Sequence, residues 1–323
     1  SGAPTLRPLI VSVVPPAQPA QPASPVADSD TLASELIGRP FFREFGPEQH
    51  GAVPEVWGIA QADNGDVLAG SDDGLIVRSG GQFSLIELPD FGNVSAMAAC
   101  GSRVAVGGYE QFGYFERNLA GEWTYQAGAV PAHVRLSRVP DVACRQGSSY
   151  FAGLHWLLIQ SPLPALAPSA SVSALEPAPA LKAIYSKAEL SGLFNTSKGM
   201  LISGFAGGLF QLIEDKLVPL PGAELLPRET VMGLVEQDTA LLVFMRHAGL
   251  WRILNGKAEK LPLPYQSDLS LAKPYVVRAM ADGSIAIGTS TGELWWLRQD
   301  LSLRLRFEID SDGVMALSHD AEQ

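Results

Sequence analysis

No stretch of this chain approaches the ~20 consecutive apolar residues that span a bilayer. The longest apolar run near its start, Leu9 to Val14, is too short. Charge is also scarce. Only 18% of the 323 residues are charged, with 34 Asp and Glu against 23 Lys and Arg, for a net charge of −11. No run of Lys or Arg offsets this excess, and a uniformly acidic surface repels polyanions, so nucleic acid and anionic membrane are not expected partners. There is also no Gly-x-x-x-x-Gly-Lys loop, the arrangement that cradles a phosphate. The five histidines (His50, His133, His155, His247 and His319) lack His-x-x-x-His spacing, and there is no Cys-x-x-Cys pair. Neither a metal nor a cofactor is therefore expected. The two cysteines assign no compartment. Cys100 and Cys144 end equivalent strands of neighbouring repeats, which unlike strands paired in one sheet are not hydrogen-bonded to each other, so two buried free thiols are expected.

What the chain does have is turn residues. Glycine (32) and proline (24) fall between short apolar runs, as in an all-β fold. The first 38 residues differ: Pro15, Pro16, Pro19, Pro22 and Pro25 alternate with Ala, Gln and Ser, which reads as a disordered linker. A folded domain is expected over 39–323, opening with a strand at Pro40 to Phe45. The chain starts Ser1-Gly2-Ala3 without Met, as a processed or trimmed chain would.

From Val56 the sequence repeats. Val56 to Gln61 is an apolar run, Asp63-Asn64-Gly65 a turn, Asp66 to Gly70 a second run, Ser71-Asp72-Asp73 a loop, and Gly74 to Arg78 a third run. Gly80-Gly81 turns the chain into a fourth, Phe83 to Leu88. Asn-Gly between apolar runs is the strongest short hairpin signal, because both turn positions favour positive φ. Later copies begin at Val94, Val139, Gly192, Val231 and Val276. The offset of four residues recurs in Gly70–Gly74, Gly204–Gly208 and Gly288–Gly292, and Gly208, Gly249 and Gly292 are 41 and 43 residues apart. A period of roughly 40–50 residues with four short strands per unit is the signature of propeller blades. The fold class expected is therefore all-β: a β-propeller of four-stranded antiparallel blades, with six clear repeats and the start of a seventh at Asp312 to Ser318. An incomplete seventh blade implies an open or strained ring, truncated at the C-terminus. In the third copy, Gln160 to Leu181 reads as a loose outer edge.

Val56 to Arg78 resembles the two-component regulator propeller repeat, with its V-x-x-I…D-x-x-G…G-x-x-x-G-L pattern. The stretch from Phe42-Arg43-Glu44-Phe45 through His50-Gly51 to Trp57-Gly58-Ile59-Ala60-Gln61, and the stretch Gly107 to Tyr114, are similar to the sensor propellers of hybrid histidine kinases and diguanylate cyclases. The likeness covers about Pro40 to Gln323 and is most specific in the first two blades. It implies a non-catalytic, extracytoplasmic (periplasmic) ligand sensor in bacterial signal transduction. In such receptors a further β-domain, a membrane helix and an output domain usually follow, so contact with a membrane would run through a downstream segment. A homodimer is left open.

In a blade, the loops joining strands two and three share a face with the connections between blades. Those loops are the chemically richest in the repeat, and loops on a rigid scaffold are where binding residues gather. The candidate ligand-binding residues are Tyr109, Glu110, Gln111, Phe112, His155, Trp156, Arg246 and His247. An aromatic-lined mouth with Arg and His would suit a small polar or anionic ligand such as a sugar or carboxylate. A protein-interaction ring is the alternative. A propeller lyase or dehydrogenase is a third reading, with Asp72, Asp73, Glu110, Arg246 and His247 as the acid and base groups available.

Overall fold

The computed structural model describes residues 43–89, 92–161, 181–309 and 313–318. They form six four-stranded antiparallel sheets arranged in a ring, a β-propeller. The first blade is β1 (Val56–Gln61), β2 (Val67–Ser71), β3 (Gly74–Ser79) and β4 (Gln82–Ile86). The second is β5 (Ala96–Cys100), β6 (Arg103–Gly107), β7 (Phe112–Arg117) and β8 (Trp123–Ala127). The third is β9 (Asp141–Arg145), β10 (Ser148–Ala152), β11 (Trp156–Gln160) and β12 (Leu181–Tyr185), and the fourth β13 (Leu190–Thr196), β14 (Gly199–Gly204), β15 (Leu209–Ile213) and β16 (Lys216–Pro219). The fifth is β17 (Val231–Gln237), β18 (Ala240–Met245), β19 (Leu250–Leu254) and β20 (Lys257–Leu261), and the sixth β21 (Pro274–Ala279), β22 (Ile285–Thr289), β23 (Glu293–Leu297) and β24 (Leu303–Glu308). Each blade is ordered by sequence from the inside out.

The burial pattern follows from blades stacking on both faces. β22 is buried at every residue, whereas the outer β24 alternates between exposed and half-buried positions, as a one-sided strand does. The recurrent glycine that ends the second strand has a packing role. A Cβ on Gly70 would lie 2.5 Å from a Val94 methyl, and Val139 and Val314 press on Gly107 and Gly288 in the same way. Each valine opens the segment leading into the next blade, so the glycine lets neighbouring blades close. In the fifth blade the register puts Phe244 at this position and Met245 after it, and both are buried.

Five blade junctions each hold one continuous apolar cluster. The junction between the sixth and first blades differs, with two separate clusters. One joins Val276, Leu294 and Ile309 to Val314; the other joins Ala52 to Ala69 and Ile76. Residues 313–318 stand where a seventh inner strand would begin. The Val314 N–H donates to the Thr289 carbonyl at 2.8 Å, as the Val94 N–H does to Ser71 at 2.9 Å. These residues have no strand structure of their own, because no second strand of a blade pairs with them among the described residues.

Three expectations need correction. Arg43 to Phe45 is not a strand. The chain instead enters a short helix, α1 (Pro47–His50), and Phe45 sits edge-on against Phe83 of β4 at 5.0 Å with the Arg43 and Arg78 guanidinium groups over its ring. The third blade has a regular outer strand: β12 pairs with β11 from Trp156↔Tyr185 to Gln160↔Leu181. The excursion expected before it, like the 1–38 linker, lies outside the described residues except at its ends. Finally, Cys100 and Cys144 form a disulfide with Cα atoms 5.5 Å apart, well inside bonding reach. Inner strands converge toward the ring axis, and Ala96, Ala98, Ala99 and Ala143 on β5 and β9 leave little bulk to hold them apart.

Candidate functional site

Six inner strands around one axis leave a central cavity of about 1130 Å³. Its wall includes Ile59 to Gln61 of β1, Met97 to Ala99 of β5, Asp141 to Cys144 of β9, Leu193 to Asn195 of β13, Leu234 of β17 and Val277 to Ala279 of β21. Asp63, Asn64, Gly65 and Gly101 also line it, all from hairpins that join first and second strands, and Leu317 and Ser318 enter at the junction of the sixth and first blades. No residue of the loops between second and third strands lines it. The cavity thus belongs to the hairpin face.

Two charged groups stand out in this wall. Asp141 opens β9, and its carboxylate accepts the Val142 N–H at 2.8 Å and, across the blade junction, the Leu193 N–H at 2.7 Å. Burial pushes its carboxyl up to about 6, against the opposing pull of the Leu193 N–H, the charge of Arg278 and the Val142 N–H. Arg278 is the second-last residue of β21 and is exposed to the cavity. Nearby, the Asn195 amide donates to the Cys144 carbonyl at 2.6 Å, fixing the polar wall beside the disulfide. Asp63 is engaged by Arg117 at 3.0 Å. The cavity therefore offers one cation, a half-buried carboxylate and several amides against apolar walls, the mixture that orients a small polar molecule.

The eight residues singled out in the sequence lie on the opposite, loop-bearing face, and none lines the cavity. Phe112 is a core residue at 1% exposure, its ring 4.7 Å from Phe151. It opens β7, and its side chain turns into the junction with the third blade rather than toward solvent. Tyr109 is 65% exposed and bridges to Arg138 through the backbone. Glu110 takes positive φ and its N–H donates to the Ser137 carbonyl. The Gln111 side chain occupies the space beside Gly92. The His155 ring stacks on Tyr185 at 6.3 Å with Nδ1 at 3.3 Å from the Ser186 carbonyl, while Trp156 meets Tyr185 edge-on at 5.3 Å and His133 at 5.7 Å. The Arg246 N–H donates to Thr230, and the His247 and Ala248 N–H groups donate to Glu229.

Of the three carboxylates named for acid–base work on this face, two are held in hydrogen bonds. Asp72 accepts the Trp57 indole at 2.9 Å, and Asp73 accepts the Val53 N–H at 2.7 Å. Among the described residues no three His, Cys, Asp or Glu side chains come together as metal ligands would, and no helix is long and apolar enough to cross a membrane.

The cavity residues were not singled out from the sequence, although a signal was there. Asp141 and Arg278 are charges set inside first-strand runs that are otherwise mostly apolar. In a propeller the first strand of each repeat faces the axis, so a charge at that position faces the channel.

Comparison with solved structures agrees with the architecture. The WD40 β-propeller domain of Doa1 superposes with a TM-score of 0.58 at 10% identity, over 82% of this chain and 86% of that one. The computationally designed Ika8 protein superposes with a TM-score of 0.54 at 14% identity, over 83% and 79%. At these identities the likeness is one of fold. No family model and no curated protein matches the sequence.

Proposed function

We propose that this chain is an extracytoplasmic binding propeller, without chemistry of its own, whose central cavity takes a small polar or anionic ligand as the sensing part of a signalling receptor. The observation that carries this reading is Arg278, an exposed cation in the cavity wall whose charge acts on the half-buried carboxyl of Asp141. An anion entering the cavity would meet that guanidinium in a partly desolvated setting, where a charge-assisted bond is worth more than in water. The Cys100–Cys144 disulfide supports an oxidising compartment, since such bonds persist outside the cytosol. The signalling role rests on the resemblance of the first two blades to sensor propellers. The propeller fold is also consistent with a protein-interaction role.

The test is a thermal-shift screen of the intact chain against a panel of sugars and carboxylates, repeated with Arg278→Ala. The expected result is a ligand that raises the melting temperature of the wild type and has little effect on the variant. A ligand that stabilises both equally would place the site elsewhere, and an inert panel would count against a small-molecule sensor.

A further inference from the structure

The loop face of the second to fifth blades is one connected surface. Tyr109 bridges to Arg138, and His133 touches Trp156, which meets Tyr185. The Phe205 N–H donates to the Glu189 carbonyl, Thr230 Oγ1 donates to the Phe205 carbonyl, and the Arg246 N–H donates to the Thr230 carbonyl. Loops from four blades are thereby held in an arc by bonds between each loop and the neighbouring connection.

Two features of that arc run against the rest of the molecule. The first is charge. Arg135, Arg138, Lys187, Arg228 and Arg246 are all exposed on it, and none lies within ion-pair distance of a carboxylate among the described residues. The arc's own acidic groups are Glu110, which is exposed, and three that have partners. Glu229 accepts two backbone N–H groups, Glu224 accepts the Gly222 N–H, and Glu189 lies 3.9 Å from the His155 ring. In a chain of net charge −11, five cations outside ion pairs against the carboxylates of Glu110, Glu189, Glu224 and Glu229 make the arc slightly positive, a local inversion. The second feature is apolar exposure. Tyr109, Tyr185 and Phe205 stand out at 65%, 59% and 36% on this one face, and exposed apolar surface rimmed by polar residues marks interaction sites.

From these two features we infer that the arc is a docking surface for an acidic polypeptide segment carrying apolar side chains. Rings on a rigid scaffold supply anchors, since interface hot spots are rich in Tyr and Arg. Unpaired cations supply steering and selection for an acidic partner. A nucleic acid would also meet the cations and stack on the rings, but it would have to approach a molecule of net charge −11 against its own charge. This surface is separate from the cavity, so it stands or falls independently of the ligand reading.

The experiment is selection of a random peptide library displayed on phage against the intact immobilised chain. The expected outcome is enrichment of peptides with net negative charge that carry Leu, Phe, Tyr or Trp. A synthetic copy of the best peptide should bind the Arg138→Glu/Arg246→Glu variant at least about tenfold more weakly, a loss of about 1.4 kcal/mol, and should weaken as salt is raised. Tyr109→Ala should weaken it as well, whereas Arg278→Ala in the cavity should not. Four outcomes would overturn the inference: no enrichment, enriched peptides without net negative charge, equal binding by the charge-reversed variant, or displacement of the peptide by a DNA oligonucleotide of similar charge.

Discussion

The carboxylate of Asp141 accepts the backbone N–H of Leu193 at 2.7 Å, tying the start of one inner strand to the middle of the next. Adjacent blades have no hydrogen-bond ladder between them, so a side chain that crosses the junction fixes their relative height. Asp141 is half-buried and partly desolvated there, and that makes the contact sensitive to pH.

Burial raises the Asp141 carboxyl to about 6 from 3.8, so the folded chain holds this proton more tightly than the unfolded chain. The stability linked to it is fully present below the unfolded value and is lost as pH rises through the folded one. The difference is on the order of 3 kcal/mol. Urea unfolding of wild type and Asp141→Asn, stepped between about pH 4 and pH 7, should show a downward slope in the wild type that the variant lacks. An identical slope in both would mean that Asp141 does not titrate in this window.

The Cys100–Cys144 bridge closes a span of 44 residues, for which loop-closure entropy gives about 4 kcal/mol. Non-reduced protein should be two hydrogens lighter than reduced protein and should resist alkylation. The Cys100→Ser/Cys144→Ser variant should unfold at clearly lower denaturant. Alkylation of both sulfurs in the native, non-reduced protein would show the bond to be absent.

Gly288 lies under Val314, and a Cβ added to it would stand 2.5 Å from a valine methyl. Gly288→Ala should therefore destabilise by about 1–3 kcal/mol, and Val314→Ala added to it should restore part of that loss. Gly65→Ala is the control: nothing lies within 4 Å of its Cβ, and its φ of +84° leaves only backbone strain, of order 1 kcal/mol. If Val314→Ala brings no recovery, residues 313–318 do not seal the sixth blade in solution.

Blade number and strand order were legible because they are local. A hairpin such as Asn64-Gly65 needs only two residues with the right φ preference, and the second strand of most repeats ends in a glycine that can be read from the sequence. The cavity residues were less legible. Asp141 and Arg278 are 137 residues apart and line one cavity only because their inner strands face one axis. The loop-face residues were found by their chemical richness, yet richness alone did not separate Phe112, which turns into the core, from Tyr109, which stands in solvent.

The sequence by itself determined the all-β repeat, its six units, the face that carries each loop and the acidic character that disfavours polyanions. Only the tertiary structure decided the disulfide, the two-part junction between the sixth and first blades, and the position of the cavity on the hairpin face. Ring closure is the reason. Side-chain periodicity and turn chemistry act over a few residues, whereas the distance between two inner strands depends on how all six blades pack around their common axis.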